Sequence, residues 1–411
     1  MAEAVAIKHH KLSSPETDAA ASSSQQFALP RCHHHLKEKV EYVINNGEKE
    51  QQPLLPGLPD HLAQLCLSRL HPQLLFAVCR SWRRLLYSPS FPPFLSLYSL
   101  LSSDDGAAAA DDADPIGFYT FDPLSAKWSP LPPPPPDPPL RCLLLRHPSF
   151  IAHSLPVQAV AAGSHLVVVA ATNHRLLPAF PRPLVFHPAT RCWRLGPPVR
   201  APRRWCAAGS AGGAVYLASG VGTAYNTEVA RSAERWDPAG AGAAWESVAP
   251  VRNGRFSREA LEAVASQGKL CMVNVRGRAV KEGAVYDVQS DRWGEIPAGL
   301  VAGWTGPAAA AEEGGPIYVV DEERGALKAY DWATDRWAAV AESEQLKGAV
   351  QLAAGGGRAC VVCGGGEAVV VVDVKATTHG RMWTVQPPAG KRVMSVHVLP
   401  RMSKEAIAAD H

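Results

Sequence analysis

The chain has 411 residues and a formal net charge of +3, from 41 Lys+Arg against 38 Asp+Glu, which leaves room for two units and no electrostatic case for a nucleic-acid partner. Its longest apolar runs, such as Leu166 to Ala171 and Ala368 to Val372, are strand-length, so no membrane-spanning helix is expected. Nine cysteines, an odd number without framework spacing, read as reduced thiols, and with no hydrophobic signal core at the N-terminus they place the protein in the cytoplasm or nucleus.

Residues 1–52, rich in Ser, Gln, His, Glu and Lys, are expected to be disordered, and Cys32-His33-His34-His35 is read there as composition rather than a metal site. A compact apolar block follows, from Leu54 to about Phe91. Asp60 reads as an N-cap. After it, Leu62, Leu65, Cys66 and Leu70 fall at helical spacing on one face, and after Pro72 so do Leu74, Leu75, Val78 and Trp82. About forty residues rarely bury enough apolar surface to fold strongly alone, so this unit is expected to complete its core against a neighbour or a partner.

The block resembles an F-box. Leu58-Pro59-Asp60 opens the motif, Leu62 to Leu70 and Pro72 to Val78 supply two apolar helices, and Cys79-Arg80-Ser81-Trp82-Arg83-Arg84-Leu85-Leu86 with Ser88-Pro89-Ser90-Phe91 closes it. Gln64-Leu65-Cys66-Leu67 stands where the family often has an acidic residue before the leucine pair. The F-box is assigned to residues 53–91.

Phe94 to Leu101 reads as a strand, and Ala107 to Asp114 as a low-complexity loop. From there a degenerate repeat governs the chain: an apolar or aromatic residue, usually Asp, then a tryptophan. The instances are Phe121-Asp122…Trp128, Phe186-His187…Trp193, Trp236-Asp237…Trp245, Tyr286-Asp287…Trp293, Tyr330-Asp331…Trp337 and Val372-Asp373…Trp383. The Trp-to-Trp intervals are 65, 52, 48, 44 and 46 residues, against a kelch period of roughly 50. Each step reads as a hairpin, preceded by a glycine-announced apolar strand such as Gly212 to Leu217 or Gly357 to Val362. Units of about four strands must stack around an axis to cover both faces.

This body, residues 92–400, resembles the kelch family, although Ala170-Ala171, Asn274-Val275 and Val320-Asp321 stand where the family has its double glycine. An all-β kelch-type β-propeller of six blades is expected, preceded by a small all-α F-box domain. The first blade lacks an inner strand, and Arg392 to Leu399 is placed to supply it. Residues 401–411 are read as a second disordered tail.

Together the two motifs resemble plant-type F-box/kelch-repeat proteins, in particular the subgroup described as partners of the Skp-type adaptor. That resemblance implies a substrate-receptor subunit of a Skp–cullin–F-box ubiquitin ligase, binding a Skp-type (in plants ASK-type) adaptor, through it a cullin, and a protein substrate on the propeller. Adaptor contacts are then expected from Leu58, Pro59, Leu62, Leu65, Leu70, Leu74, Leu75, Val78 and Trp82. Substrate contacts are expected from the loops entering each inner strand and joining second to third strands, with Arg203, Arg204, Trp205, Arg252, Arg255, Arg258 and Trp304 as candidates. The hairpin tryptophans are read as blade packing.

No cofactor or metal is expected. The pair Cys360-x-x-Cys363 has no second pair to complete a zinc site and is read as alternation within a strand. No catalytic motif is present. The alternatives are an interaction scaffold outside any ligase and, since kelch propellers also occur in copper oxidases, a metal-dependent enzyme. Pro130 to Pro139, with eight prolines in ten residues, reads as a stiff polyproline connection between blades, with a ligand for a proline-reading module as the alternative.

Overall fold

The computed structural model describes residues 53–103, 116–144, 157–240, 244–258, 261–274, 281–311, 314–375 and 381–403. The readings of 1–52, of Cys32 to His35, of the loop at 107–114 and of the chain beyond 403 lie outside these residues.

Three short helices open the chain: α1 (Asp60–Leu67), α2 (Pro72–Val78) and α3 (Arg80–Leu86). Asp60 is not the N-cap expected. Pro59 holds that place, and the Asp60 carboxylate sits in the first turn, where it accepts the Leu54 N–H at 3.1 Å. His71 caps α2 through Nδ1, with Pro72 at the first helical position, and the Cys79 sulfur accepts the Trp82 N–H at the start of α3.

Six four-stranded antiparallel sheets follow, each a blade running from the axis outward. Blade 1 comprises β1 (Leu95–Ser103), β2 (Ile116–Asp122) and β3 (Lys127–Pro130). Blade 2 comprises β4 (Val157–Ala162), β5 (His165–Ala171), β6 (Leu184–His187) and β7 (Cys192–Leu195). Blade 3 holds β8 (Ala207–Ala211), β9 (Ala214–Ala218), β10 (Ala233–Trp236) and β11 (Glu246–Val248). Blade 4 holds β12 (Leu261–Ser266), β13 (Lys269–Asn274), β14 (Gly283–Asp287) and β15 (Arg292–Glu295). In blade 5 these are β16 (Ala308–Ala310), β17 (Ile317–Asp321), β18 (Ala326–Asp331) and β19 (Arg336–Glu342); in blade 6, β20 (Gln351–Gly355), β21 (Arg358–Cys363), β22 (Ala368–Asp373) and β23 (Met382–Val385).

The last strand, β24 (Lys391–Pro400), pairs antiparallel with β1 and is the inner strand of blade 1. The closure expected from the sequence is therefore present: β24 lies between β20 and β4 and completes the ring of inner strands. Gly366, at φ 98°, lets the turn after β21 approach β24. A Cβ there would fall 2.4 Å from the Val393 carbonyl oxygen.

Alternation explains how each blade meets two neighbours. On β5, Leu166 and Val168 join the core shared with blade 1, while Val167 and Val169 join that shared with blade 3. Six such clusters fill the six interfaces. Where inner strands converge, small residues dominate, as in Ala207–Ala211 and Ala308–Ala310. They surround an axial cavity of about 1220 Å³.

The Asp-to-Trp step has a local cause. The Asp carboxylate accepts turn N–H groups, as Asp122 does from Leu124 at 2.8 Å and Asp331 from Ala333 at 3.0 Å, which closes a tight turn. Four residues after the Asp (His in blade 2), Ala126, Arg191, Asp291 and Asp335 take φ between 48° and 57°, turning the chain back two residues before the Trp.

Each Trp then reaches the preceding blade. Trp128 Nε1 donates to the Gln386 carbonyl at 2.7 Å, Trp193 to Pro132 at 2.8 Å, Trp245 to Pro197 at 3.2 Å, Trp293 to Ala249 at 2.7 Å and Trp337 to Gly299 at 3.0 Å. Asp291 and Asp335 reinforce the same contacts, accepting the N–H groups of Ala249 and of Gly299 and Leu300. Trp383 differs: it is exposed and lies under Arg358 at 5.4 Å. The proline run joins blades 1 and 2, with Leu131 and Leu140 buried at its two ends.

The propeller has two unlike ends. The hairpins within blades and the Asp-to-Trp turns lie at one, with Leu95 and Pro400. The links entering inner strands and the loops joining second to third strands lie at the other, with Ser103 and Lys391. The helices contact the first end: Leu124 of the β2–β3 turn joins their core, and Tyr87 donates to Asp122. The tail expected from residue 401 does not begin there. Arg401 is buried, donates through Nη2 to the Ser88 carbonyl at 2.7 Å, and lies 5.8 Å from the rings of both Tyr87 and Phe94.

Candidate functional site

The helical unit sorts its apolar residues in a way the sequence pattern does not announce. Leu67, Leu75, Leu85, Leu86 and Phe91 form the core, with Ala63 buried one turn before Leu67 and Leu54, Leu55 and Trp82 packed at the edge. Trp82 is half-buried, its Nε1 donating to the Leu54 carbonyl at 2.8 Å. Leu75 is fully buried, so of the adaptor candidates it belongs to the core rather than to a contact surface. Leu58 is half-buried and Pro59 exposed.

The remaining candidates face outward. Leu62 is 42 % exposed, Leu65 64 %, Leu70 44 %, Leu74 59 % and Val78 59 %. Leu62 and Leu65 share a face of α1, Leu74 and Val78 share a face of α2, and Leu70 sits in the turn between. Five large aliphatic side chains within seventeen residues stand exposed, apolar surface of the kind that marks an interaction site.

At the opposite end of the propeller, the substrate candidates divide. Arg203 does not reach the surface: its side chain is 1 % exposed, paired with Glu234, and also bonded to Ser232 Oγ at 2.8 Å and the Ala201 and Ser219 carbonyls. It is a strut between the link into β8 and strand β10. Trp304, 1 % exposed, is likewise interior, its Nε1 donating to Glu262 at 3.1 Å. Arg204 and Trp205 stack, with the guanidinium carbon 4.2 Å from the ring centroid, on a half-buried link. Arg252 is exposed; Arg255 and Arg258 lie in the 3₁₀ turn Gly254–Arg258 of the next link.

Glu262 is a site residue that the motif search missed, because nothing local marks it. On inner strand β12 it accepts from Trp304 Nε1 and, at 2.8 Å, from the Ala308 N–H, tying blade 4 to blade 5 at the cavity wall. Burial pushes its carboxyl up to about 7, against the opposing effect of those two bonds and of Lys281. The sign follows. The folded state holds its proton above the ordinary carboxyl range, so this group's full contribution to stability is present below about pH 4.5 and is lost as pH rises through 7. The Glu262→Gln variant should flatten that part of the profile. The difference between variant and wild-type stability should shift by on the order of 2 kcal/mol between pH 5 and pH 8, read from paired melting curves.

Cys360 and Cys363 point into different interfaces, with blades 1 and 5 respectively, and do not converge on one ion. Among the described residues no group of three or more His, Cys, Asp or Glu side chains is placed to hold a metal, and no helix is long and apolar enough to cross a membrane.

No family model matches the chain. Among individual proteins, it is 48 % identical over 368 residues, 86 % of this chain and 91 % of the relative, to F-box/kelch-repeat protein SKIP25 of Arabidopsis thaliana. It is 24 % identical to F-box/kelch-repeat protein At1g22040, covering 75 % of each chain, and 23 % identical to F-box protein AFR, covering 68 % of this chain and 73 % of the relative, both from the same plant. With the three-helix unit, the six blades and this similarity across nearly the whole of a relative, the chain belongs to the plant F-box/kelch-repeat family.

Proposed function

We propose that the chain is the substrate receptor of a Skp–cullin–F-box ubiquitin ligase, non-catalytic in itself and acting in the cytoplasm or nucleus. The exposed residues Leu62, Leu65, Leu70, Leu74 and Val78 carry the reading, since these large aliphatic side chains are left 42–64 % exposed and suit the apolar groove of a Skp-type adaptor. Leu58 and Pro59 flank these residues, and a cullin joins through the adaptor.

The propeller's opposite end, with its longer links and loops, takes the protein substrate. Two observations support a fixed relation between the ends: Tyr87 bonds Asp122, and Arg401 joins the last strand to the helical unit through Ser88. A receptor so built presents its substrate at a set distance from the transferring enzyme.

The test is co-purification from plant extract. Wild-type protein should bring down adaptor and cullin, and the double variant Leu65→Asp/Leu74→Asp, altered only at exposed positions, should bring down neither while melting as wild type does. Undiminished recovery of both partners with the variant would refute the proposal.

A further inference from the structure

We propose that Arg204, seated on Trp205, reads an anionic side chain of the protein substrate, a carboxylate or a phosphate. This deepens the reading of the propeller's link face as the substrate surface and rests on it. Arg203 and Arg204 are chain neighbours in opposite circumstances. Arg203 has a carboxylate, a hydroxyl and two carbonyls as acceptors. The Nε and Nη1 of Arg204 are enclosed and have no acceptor.

Arg401 also has an enclosed Nε without a partner, but it donates through Nη2 to Ser88 and lies over two rings. Removing a guanidinium from water without a counter-charge is costly. Burial alone lowers the Arg204 pKa, with no carboxylate acting against it. Arg204 is half-buried and its charge is delocalised over the planar group, so an anion that reaches its exposed part offsets the desolvation of the whole.

A second observation concerns the backbone that holds it. Trp205, at φ 54°, and Ser219, at φ 59°, are both non-glycine residues in the left-handed region, on the two segments that pair through Arg204 and Val221 at 2.9 and 3.0 Å. Strain of this kind concentrates at binding sites. Here it fixes the Trp205 ring as a seat for the guanidinium, which leaves the cation's geometry set before any ligand arrives.

The surroundings favour an anion. Apart from Arg203, which Glu234 neutralises, residues 200–206, 221–232 and 250–258 contain six arginines and one glutamate. Tyr225, 50 % exposed, stands on the same loop as Val221 and offers contact area of the type enriched at hot spots.

The experiment uses the full chain without adaptor, so that a failure here is separable from a failure of F-box docking, which the adaptor co-purification reads independently. Fluorescent peptide pools of one length and random flanks carry a fixed centre of Glu-Glu, phosphoserine or Gln-Gln, and a single-stranded oligonucleotide serves as a fourth probe. The expected result is binding of the Glu-Glu or the phosphoserine pool at least tenfold tighter than the Gln-Gln pool, the stronger of the two naming the source of the anion.

Arg204→Met should abolish that preference, Arg204→Lys should weaken it by losing the planar fork, and Leu65→Asp/Leu74→Asp should leave it intact. Arg204→Met should also melt at or above the wild-type temperature, since it removes an uncompensated charge; a purely structural arginine would lower it. Equal binding of all peptide pools, preference for the oligonucleotide, or an anion preference that survives in Arg204→Met would overturn the proposal.

Discussion

Removing residues 391–411 should abolish the cooperative unfolding transition. The excised segment includes β24, whose pairing with β1 runs from Leu95↔Pro400 to Ser103↔Lys391. Val393 and Val396 fill the interface between blades 6 and 1, and Leu399 that between blades 1 and 2. Burying a side chain of this size contributes about 1.5–3 kcal/mol. Three of them therefore account for a large part of the roughly 5–15 kcal/mol by which a domain is stable.

The loss is also topological. Without β24 the inner edge of β1 is unpaired, the Tyr98 hydroxyl loses the Pro400 carbonyl at 2.8 Å, and Gln351 loses the Val396 N–H at 2.6 Å. Arg401 goes with it, removing the bond to Ser88. The truncated chain should show a broad, non-cooperative melt by circular dichroism and should aggregate. A sharp transition near the wild-type temperature would show that closure does not hold the ring.

The second large effect is expected at the buried ion pair of blade 3. In Glu234→Ala, Arg203 remains enclosed with its counter-charge gone, and the Arg200 N–H, which Glu234 accepts at 3.2 Å, loses its partner as well. Breaking a buried pair from one side typically costs about 3–5 kcal/mol, whereas replacing both partners by apolar groups is often close to neutral. Glu234→Ala should therefore lower the denaturation midpoint strongly. The double variant Arg203→Met/Glu234→Leu should recover most of the loss. If the single and double variants prove equally destabilised, the pair is not the source of the stability assigned to it.

The propeller was legible in the sequence because its marks are local. An Asp (His in one repeat) that closes its own turn and a Trp six residues later, which bonds the preceding blade, depend on spacing that four of the six repeats display on their own. Closure was legible for another reason: the first repeat lacked an inner strand and the last was followed by a surplus one.

What escaped depended on contacts between distant segments. The apolar stripe of α1 and α2 was visible, but a helical pattern does not distinguish a face that meets its own core from one that meets a partner. The smaller Ala63–Leu67 face closes the core, and the leucine-rich face is open. Arg203 and Arg204 look alike in sequence, and only Glu234, thirty-one residues on, separates the strut from the unpaired cation. Trp304 was read as a surface contact because Glu262, forty-two residues earlier, gives no local sign of receiving its N–H. Arg401 looked like tail because its acceptor, Ser88, lies at the other end of the chain.

The central claim is that the outward leucines of the helical unit are the adaptor-binding surface, and titration calorimetry with purified Skp-type adaptor tests it most directly. Leu65→Ala, Leu74→Ala and Val78→Ala should each weaken binding by about tenfold or more with unchanged melting temperature, since each truncates an exposed contact and no core residue. Wild-type affinity in all three variants would contradict the account.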